Sequence, residues 1–326
     1  MDVREPSFQT RDILLQDPTG VVGPTIMDHD YRVEYTQTWS GGLQYEVLPS
    51  TMAEISYMGS WTLGADNPML YNVPEPGPGS IQARRALPEL GVIRSIRFNG
   101  KSIYHAVTVK AERRLLNHVS FNASYTLSTS KDDASSPGPT EAESNNPQNV
   151  KNIFSPSGEW AHSSFEHRHV LVASGTYELR GWRFNAVLSA QSGAPFTVNL
   201  GVDQANVGSG PAQRPNQLRN PNLGSGKRTP DRWFDTAAFA LPTVFTFGSA
   251  PRNSVLGPGA ATLDTAVAKT VRLSSSTRLE LRWEVFNLLN RANFDLPDRV
   301  FGTPNFGRIF SAKNPREMQL GMKLLF

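Results

Sequence analysis

The chain has 326 residues, 38 % of them hydrophobic, with 26 Gly, 24 Pro and no Cys. The missing cysteine excludes a disulfide framework, thiolate metal sites and a cysteine nucleophile. The net charge is +3 and the basic residues are spread out. No basic run is interleaved with aromatics, so nucleic acid is not expected as a partner. Nothing approaches about 18 consecutive apolar residues, which excludes a transmembrane helix. It does not exclude membrane strands, whose alternation hides their hydrophobicity.

The first residues, Met1-Asp2-Val3-Arg4-Glu5-Pro6, place charges where a signal peptide needs an apolar run. Residues 1–30 are read as an N-terminal segment, a loop or a partial strand. Windows of about 8–12 residues then alternate in strand fashion, the length a tilted membrane strand needs. Residues 31–48 and 51–62 are predicted as the first two strands. Val107, Val109 and Ala111 share a face of a third. In a fourth, Val119, Phe121, Ala123, Tyr125 and Leu127 alternate with Ser120, Asn122, Ser124 and Thr126. Leu171, Ala173, Gly175, Tyr177 and Leu179 define a fifth. Trp182, Phe184, Ala186, Leu188 and Ala190 define a sixth, and residues 262–273 form a seventh.

The clearest window is Arg278 to Leu288. Leu279, Leu281, Trp283 and Val285 fall on one face; Arg278, Glu280, Arg282 and Glu284 fall on the other. A helix here would scatter its charges all round, so period 2 is the better fit. The last window, Glu317 to Phe326, puts Met318, Leu320, Met322, Leu324 and Phe326 on one face.

Short connections at 116–118, 180–181 and 274–276 alternate with long ones at about 63–101, 131–164, 195–261 and 291–314. This order implies antiparallel neighbours with every long loop on one side, as in outer-membrane barrels. Bacterial barrels have even strand numbers, so one further strand is expected within 1–30. An open sheet in lipid leaves backbone groups unpaired. The chain is therefore expected to be a small closed barrel or a segment of a larger one.

Little in the sequence points to chemistry. Asp132-Asp133 is read as a solvated loop mouth. His162, His167 and His169 have spacing that a metal site would want, yet a third ligand is not evident, and no metal or cofactor is expected. Arg278, Glu280, Arg282 and Glu284 are read as a lumen-facing ladder pairing with Asp264 and Lys269. Ser192-Gly193 lacks the Gly-x-Ser-x-Gly context of a nucleophile elbow. The glycines at 77, 79, 208 and 210 fit loops, not a phosphate cradle. No catalytic residue is assigned and the chain is not expected to be an enzyme. Tyr104, Tyr125, Tyr177, Trp182, Trp283 and Phe326 suit the aromatic girdles of a barrel. The competing reading of the same rings is the core of a soluble β-sandwich that binds carbohydrate or protein.

Several segments carry a family resemblance. They are Ser124-Tyr125-Thr126-Leu127-Ser128-Thr129-Ser130-Lys131-Asp132-Asp133-Ala134-Ser135-Ser136, Glu166-His167-Arg168-His169, and Gln191-Ser192-Gly193-Ala194-Pro195-Phe196-Thr197-Val198. Further ones are Trp233-Phe234-Asp235-Thr236-Ala237-Ala238-Phe239, Arg252-Asn253-Ser254-Val255-Leu256-Gly257-Pro258-Gly259, Glu284-Val285-Phe286-Asn287-Leu288-Leu289-Asn290 and the closing Gly321-Met322-Lys323-Leu324-Leu325-Phe326. In this order the chain resembles the Oar-like TonB-dependent outer-membrane receptors over residues 31–326. The one departure is Glu166-His167-Arg168-His169, where the family usually has Asp-x-Arg-His.

The resemblance implies an all-β fold, the C-terminal nine or ten strands of a roughly 22-stranded antiparallel transmembrane barrel with long extracellular loops. It implies a place in the cell outer membrane of a Gram-negative bacterium. It implies import of a bulky nutrient such as an iron chelate, oligosaccharide or peptide. The implied partners are outer-membrane lipid and lipopolysaccharide, the barrel assembly machinery reading Phe326, and the TonB complex acting through a plug domain not visible here. An outer-membrane adhesin or structural barrel without transport shares every one of these sequence features.

Overall fold

A computed structural model describes residues 23–27, 29, 32–133, 156–208 and 213–326. Nine long strands carry it: β1 (Tyr35–Leu48), β2 (Thr51–Tyr71), β3 (Ile93–Leu116), β4 (Val119–Asp132), β5 (His169–Leu179), β6 (Trp182–Gln191), β7 (Ala260–Arg272), β8 (Arg278–Phe286) and β9 (Glu317–Leu325). Each pairs antiparallel with its sequence neighbours, so one meander runs from β1 to β9. Among the described residues there is no α-helix. β1 pairs with β2 alone and β9 with β8 alone among the long strands, which leaves an outer edge at each end.

The alternation becomes two faces because the register keeps like with like. Tyr45, Ala53, Ala111, Ala123, Ala173, Leu188 and Leu263 form one row across seven strands. Val119, Tyr177, Phe184, Val267, Trp283 and Leu320 form another. This apolar face faces outward: Leu43 is 77 % exposed, Leu320 85 % and Phe326 95 %. A sandwich would bury that face against a second sheet, so the exposure decides for the barrel. The other face carries polar pairs, Thr36–Thr62 at 2.9 Å, Thr108–Thr126 at 3.0 Å and Thr176–Asn185 at 2.9 Å.

Rings gather toward the two ends of the apolar band. At the loop end the Tyr57 hydroxyl meets His105 Nδ1 at 2.7 Å, with Trp39 beside them, and the Tyr125 hydroxyl meets His169 Nδ1 at 2.7 Å. At the turn end Tyr177, Phe184 and Trp182 stack, and Lys269 sits 4.9 Å over the Trp182 ring. The ten positions from His169 to Leu179, which pairs with Trp182, rise about 33 Å along the strand; a tilt of about 40° projects this to about 25 Å, the height of a barrel's apolar band. Tyr104 does not belong to either girdle. Its register partners are Ser60 and Ser130, which put it on the polar face.

Two-residue turns close the short end. Asn117 and His118 have φ of 50° and 70°, and Arg180 and Gly181 have 48° and 80°. Two consecutive positive φ values match the type I′ turn, whose twist suits the flanking strands. The β7–β8 connection is longer and is pinned by Leu273 N–H donating to Thr277 O.

Two sequence expectations need correction. Residues 63–101 are not one long loop, since β2 runs to Tyr71 and β3 starts at Ile93. Gly64 at φ +77° sits in a double register shift at Leu63, Ala65 and Asp66, which resets the side-chain phase and hides the strand from a period-2 reading. At 21 residues β2 is about twice the ~9–11 residues a membrane strand needs, so the β2–β3 hairpin rises well past the apolar band. Nor does the described part of 1–30 supply a tenth barrel strand. Thr25–Met27 is a three-residue strand, parallel to Arg94–Ile96, on the side of β3 that β4 leaves open beyond Ser102. Residues 1–22 lie outside the described residues, as do Ala134-Ser135-Ser136 and Gly210.

Candidate functional site

Among the described residues, nearly all of the largest fully buried side chains lie in the long loops. Phe196, Val198, Phe234, Ala238, Phe239, Ala250 and Val255 form a buried cluster, with Trp233, Phe301 and Phe306 against it. Phe234 meets Phe306 at 5.1 Å and Phe239 at 6.0 Å, both edge to face, the geometry aromatic pairs prefer. Three two-stranded ladders tie the loops together: Asn199–Leu200 with Val300–Phe301, Asn216–Gln217 with Phe239–Ala240, and Pro195–Phe196 with Val255–Leu256. From sequence these loops are long connections that carry several of the family-like segments but no sign that they pack together. The structure makes them a folded layer above the strands.

Backbone contact between the 192–197 and 254–259 segments explains their glycines. A Cβ on Gly193 would lie 1.9 Å from Gly257 O, and one on Gly257 would lie 2.9 Å from Ala194 O. Gly257 N–H donates to Ala194 O at 2.9 Å across this joint. Gly193→Ala is therefore expected to open the joint, at a cost of about 1–3 kcal/mol typical of overpacking. Faster protease cleavage within 192–259, with the strand circular dichroism unchanged, is the expected readout.

Ion pairs fasten this layer to the sheet. Asp132, at the end of β4, is 4 % exposed and bonded to Arg252 Nη2. It is thus not a solvated loop mouth. The 251–254 segment folds back over the polar face and removes it from water. Arg252 Nε also donates to Glu159 O at 3.0 Å. The Glu159 carboxylate takes Arg214 Nη2 at 2.5 Å, with side chains 4 % and 1 % exposed. Asn253 joins the network, accepting Thr197 Oγ1–H and donating to His162 O. Burial lowers the Arg214 guanidinium, opposed by Glu159. Burial raises the Asp133 carboxyl, opposed by the Lys101 N–H that it accepts at 2.8 Å. Burial also brings Arg299 down to about 10. Arg219, with Arg232, holds Asp235 below the usual carboxylate range.

The three histidines do not converge. His162 Nδ1 pairs with Glu166 Oε2 at 2.5 Å, His167 Nδ1 with Ser192 O at 2.6 Å and His169 Nδ1 with Tyr125. β5 begins at His169, so His167 precedes the strand. The charged ladder lies on the polar face. Arg282 bonds Glu280 at 2.8 Å and Glu284 at 3.4 Å along its own strand, and Gln319 of β9 donates to Glu284. Arg278 stands opposite Arg272 and Leu325. Asp264 and Lys269 are not its partners. Lys269 lies opposite Leu281 on the apolar face, and Asp264 accepts the Asn287 N–H. Phe326 follows β9 on the side of Met318, Leu320, Met322 and Leu324.

The outer-membrane β-barrel domain family matches residues 9–319. The chain belongs to this family. As an outer-membrane β-barrel chain it resides in the cell outer membrane, with its apolar face toward lipid and its long loops extracellular. Among solved structures it is similar to the outer membrane transporter YddB from Escherichia coli, at 12 % identity and TM-score 0.51, covering 94 % of this chain and 34 % of that one. It is also similar to the FrpB iron transporter from Neisseria meningitidis, at 12 % identity and TM-score 0.44, covering 93 % and 33 %. The chain thus spans about a third of the length of these structures. No curated protein matches the sequence.

In this outer-membrane barrel one cavity of about 640 Å³ lies where the loop layer meets the strands. His162, Glu166, Arg168, His169, Arg228 and Asn253 supply its charged and polar lining, with Ser254 and apolar Pro195 and Leu256. Sequence reasoning missed it. Only the Glu166-His167-Arg168-His169 and Arg252-to-Gly259 segments hinted at it, and nothing in the sequence says that they meet.

Proposed function

We propose that the chain is the C-terminal barrel portion of an Oar-like TonB-dependent receptor that imports a bulky nutrient and does no chemistry on it. The observation that carries this reading is the nine-strand meander, whose two end strands each have an unshared edge among the described residues. Each edge strand turns a row of backbone N–H and C=O groups toward lipid, and such groups cost several kcal/mol apiece unless paired. Closure by further strands of one long receptor satisfies both edges. The folded loop layer over a polar face supports a receptor role, since it presents a rigid outer surface above a polar interior. Energy would come from the TonB complex through a plug domain of the same receptor, and Phe326 would address the chain to the barrel assembly machinery. The substrate class stays as broad as an iron chelate, oligosaccharide or peptide.

The test is expression of the full-length gene product with and without a functional TonB complex. Detergent-dependent extraction from the outer membrane, with uptake of the bound nutrient lost when the complex is inactivated, is the expected result. A product that stays soluble without detergent would sink the barrel. Uptake independent of the complex would sink the receptor class.

A further inference from the structure

The cavity at the loop–strand junction is walled by the sheet on one side and by the loop layer on the other. From the sheet comes Arg168, whose carbonyl accepts the Ser128 N–H at 2.9 Å, which sets it on the polar-face parity of β4. From the loop layer comes Arg228. Its Nε donates to Leu223 O at 2.7 Å and its guanidinium lies 5.5 Å over the Trp233 ring. Trp233 Nε1 donates in turn to Leu256 O at 2.9 Å, so the arginine is braced against the cavity wall. Much of the remaining polar lining is spent within the protein. Asn222 donates to Ser254 O and accepts the Leu256 N–H, while Asn253 donates to His162 O and accepts Thr197 Oγ1–H. Glu166 is the one carboxylate of the lining among the described residues, and it already holds His162 Nδ1 at 2.5 Å. The two guanidiniums differ. Among the described residues that of Arg168 has no partner, and Arg228 keeps both of its Nη groups for a ligand. The cavity thus holds two uncompensated cations, and its volume of about 640 Å³ is that of a small-molecule pocket, more than a lone ion fills.

We propose that this cavity binds a small soluble organic dianion, held by Arg168 from the sheet and by Arg228 from the loop layer, with its apolar body against Pro195 and Leu256. A guanidinium fork suits carboxylate and phosphate oxygens alike. Because the ligand bridges two bodies, its binding ties the loop layer more firmly to the sheet, as any ligand stabilises the form that it binds. The inference needs only the folded loop layer, and neither a metal nor passage through the barrel. A failure of energised uptake would therefore leave it standing.

The experiment uses the full-length gene product in neutral detergent and three metal-free probes, glucose 1-phosphate, glutarate and glucose, with affinity read by titration calorimetry. At least one of the two dianions should bind, and glucose should not; the tighter dianion names the acid group. Each lost charge-assisted contact is expected to weaken binding about tenfold. Arg168→Gln, which breaks no hydrogen bond among the described residues, should show that loss, and Arg168→Gln with Arg228→Gln about a hundredfold. Lys227→Gln removes an equal charge one position from Arg228 but outside the cavity lining, and should leave affinity unchanged. The bound dianion should also slow protease cleavage within 192–259 in the parent and not in the double variant. Unaltered circular dichroism in each variant guards against misfolding. Glucose binding as tightly as glucose 1-phosphate would overturn the proposal. So would full affinity in the double-arginine variant, an equal loss in Lys227→Gln, or no binding of either dianion at millimolar concentration.

Discussion

Asp132→Ala is expected to unfasten the extracellular loop layer at a cost of about 3–5 kcal/mol, the size seen when one partner of a buried ion pair is removed. Both side chains of the Asp132–Arg252 pair are 5 % exposed, so water cannot replace the carboxylate. Arg252 would keep the Glu159 carbonyl but carry its charge beside a vacated site. The neighbouring Arg214 deepens the penalty, because its own carboxylate, Glu159, is already engaged. An exposed pair behaves differently. Arg308 and Asp231 at 2.9 Å, with side chains 45 % and 81 % exposed, should contribute at most about 1 kcal/mol. Replacing both members of the buried pair, Asp132→Leu with Arg252→Met, should recover much of the loss, since neither charge of the pair is then left buried alone. Limited proteolysis of the folded chain checks this: the single variant should be cut rapidly within 192–259 while β7 to β9 stay protected. An Asp132→Ala chain as resistant as the parent would show that the network does not hold the layer.

The strands were legible in the sequence wherever one residue in two faces lipid. β4, β5, β6, β8 and β9 could be read with their faces because apolar or small residues recur along them at period 2. The reading failed at Gly64, where a bulge shifts the phase and the Asp66-Asn67-Pro68 stretch looks like a turn although it pairs with β3. Beyond the membrane a strand need not alternate, since both of its sides meet water or loops. The loop layer was opaque for another reason. Asp132 and Arg252 lie 120 positions apart, and no local pattern marks a long-range buried pair. Gly193 and Gly257 could be noticed as loop glycines, but their mutual contact is a tertiary fact. Lys269 shows the limit of parity itself. Period 2 does place it with Val267 and Val271, yet a charge on that side looks misplaced until Trp182 is seen beneath it at the turn-end girdle.

Leu188→Arg is the substitution that separates a lipid face from any other exposed apolar surface. Leu188 lies between Ala173 and Leu263 on the apolar face. Ala173 is four positions from His169 at one girdle and six from Leu179 at the other, so the row sits near mid-band. An arginine on the lipid face there should cost about 2–4 kcal/mol, falling to about 0–1 near the interfaces. Trp182→Arg at the turn-end girdle should therefore cost much less through charge, although it also loses the stack on Phe184. Ser189→Arg is the sharper comparison, one position along β6 and on the opposite, polar face, in register with Val172 and Thr262. It should be nearly neutral, because the interior of a barrel accepts charge. Reversible folding of the full-length gene product into bilayers of defined thickness measures all three. If Leu188→Arg and Ser189→Arg cost the same, the two faces share one solvent and the apolar band does not meet lipid. If Leu188→Arg alone is costly, and less so in a thinner bilayer, the hydrocarbon core lies against that row.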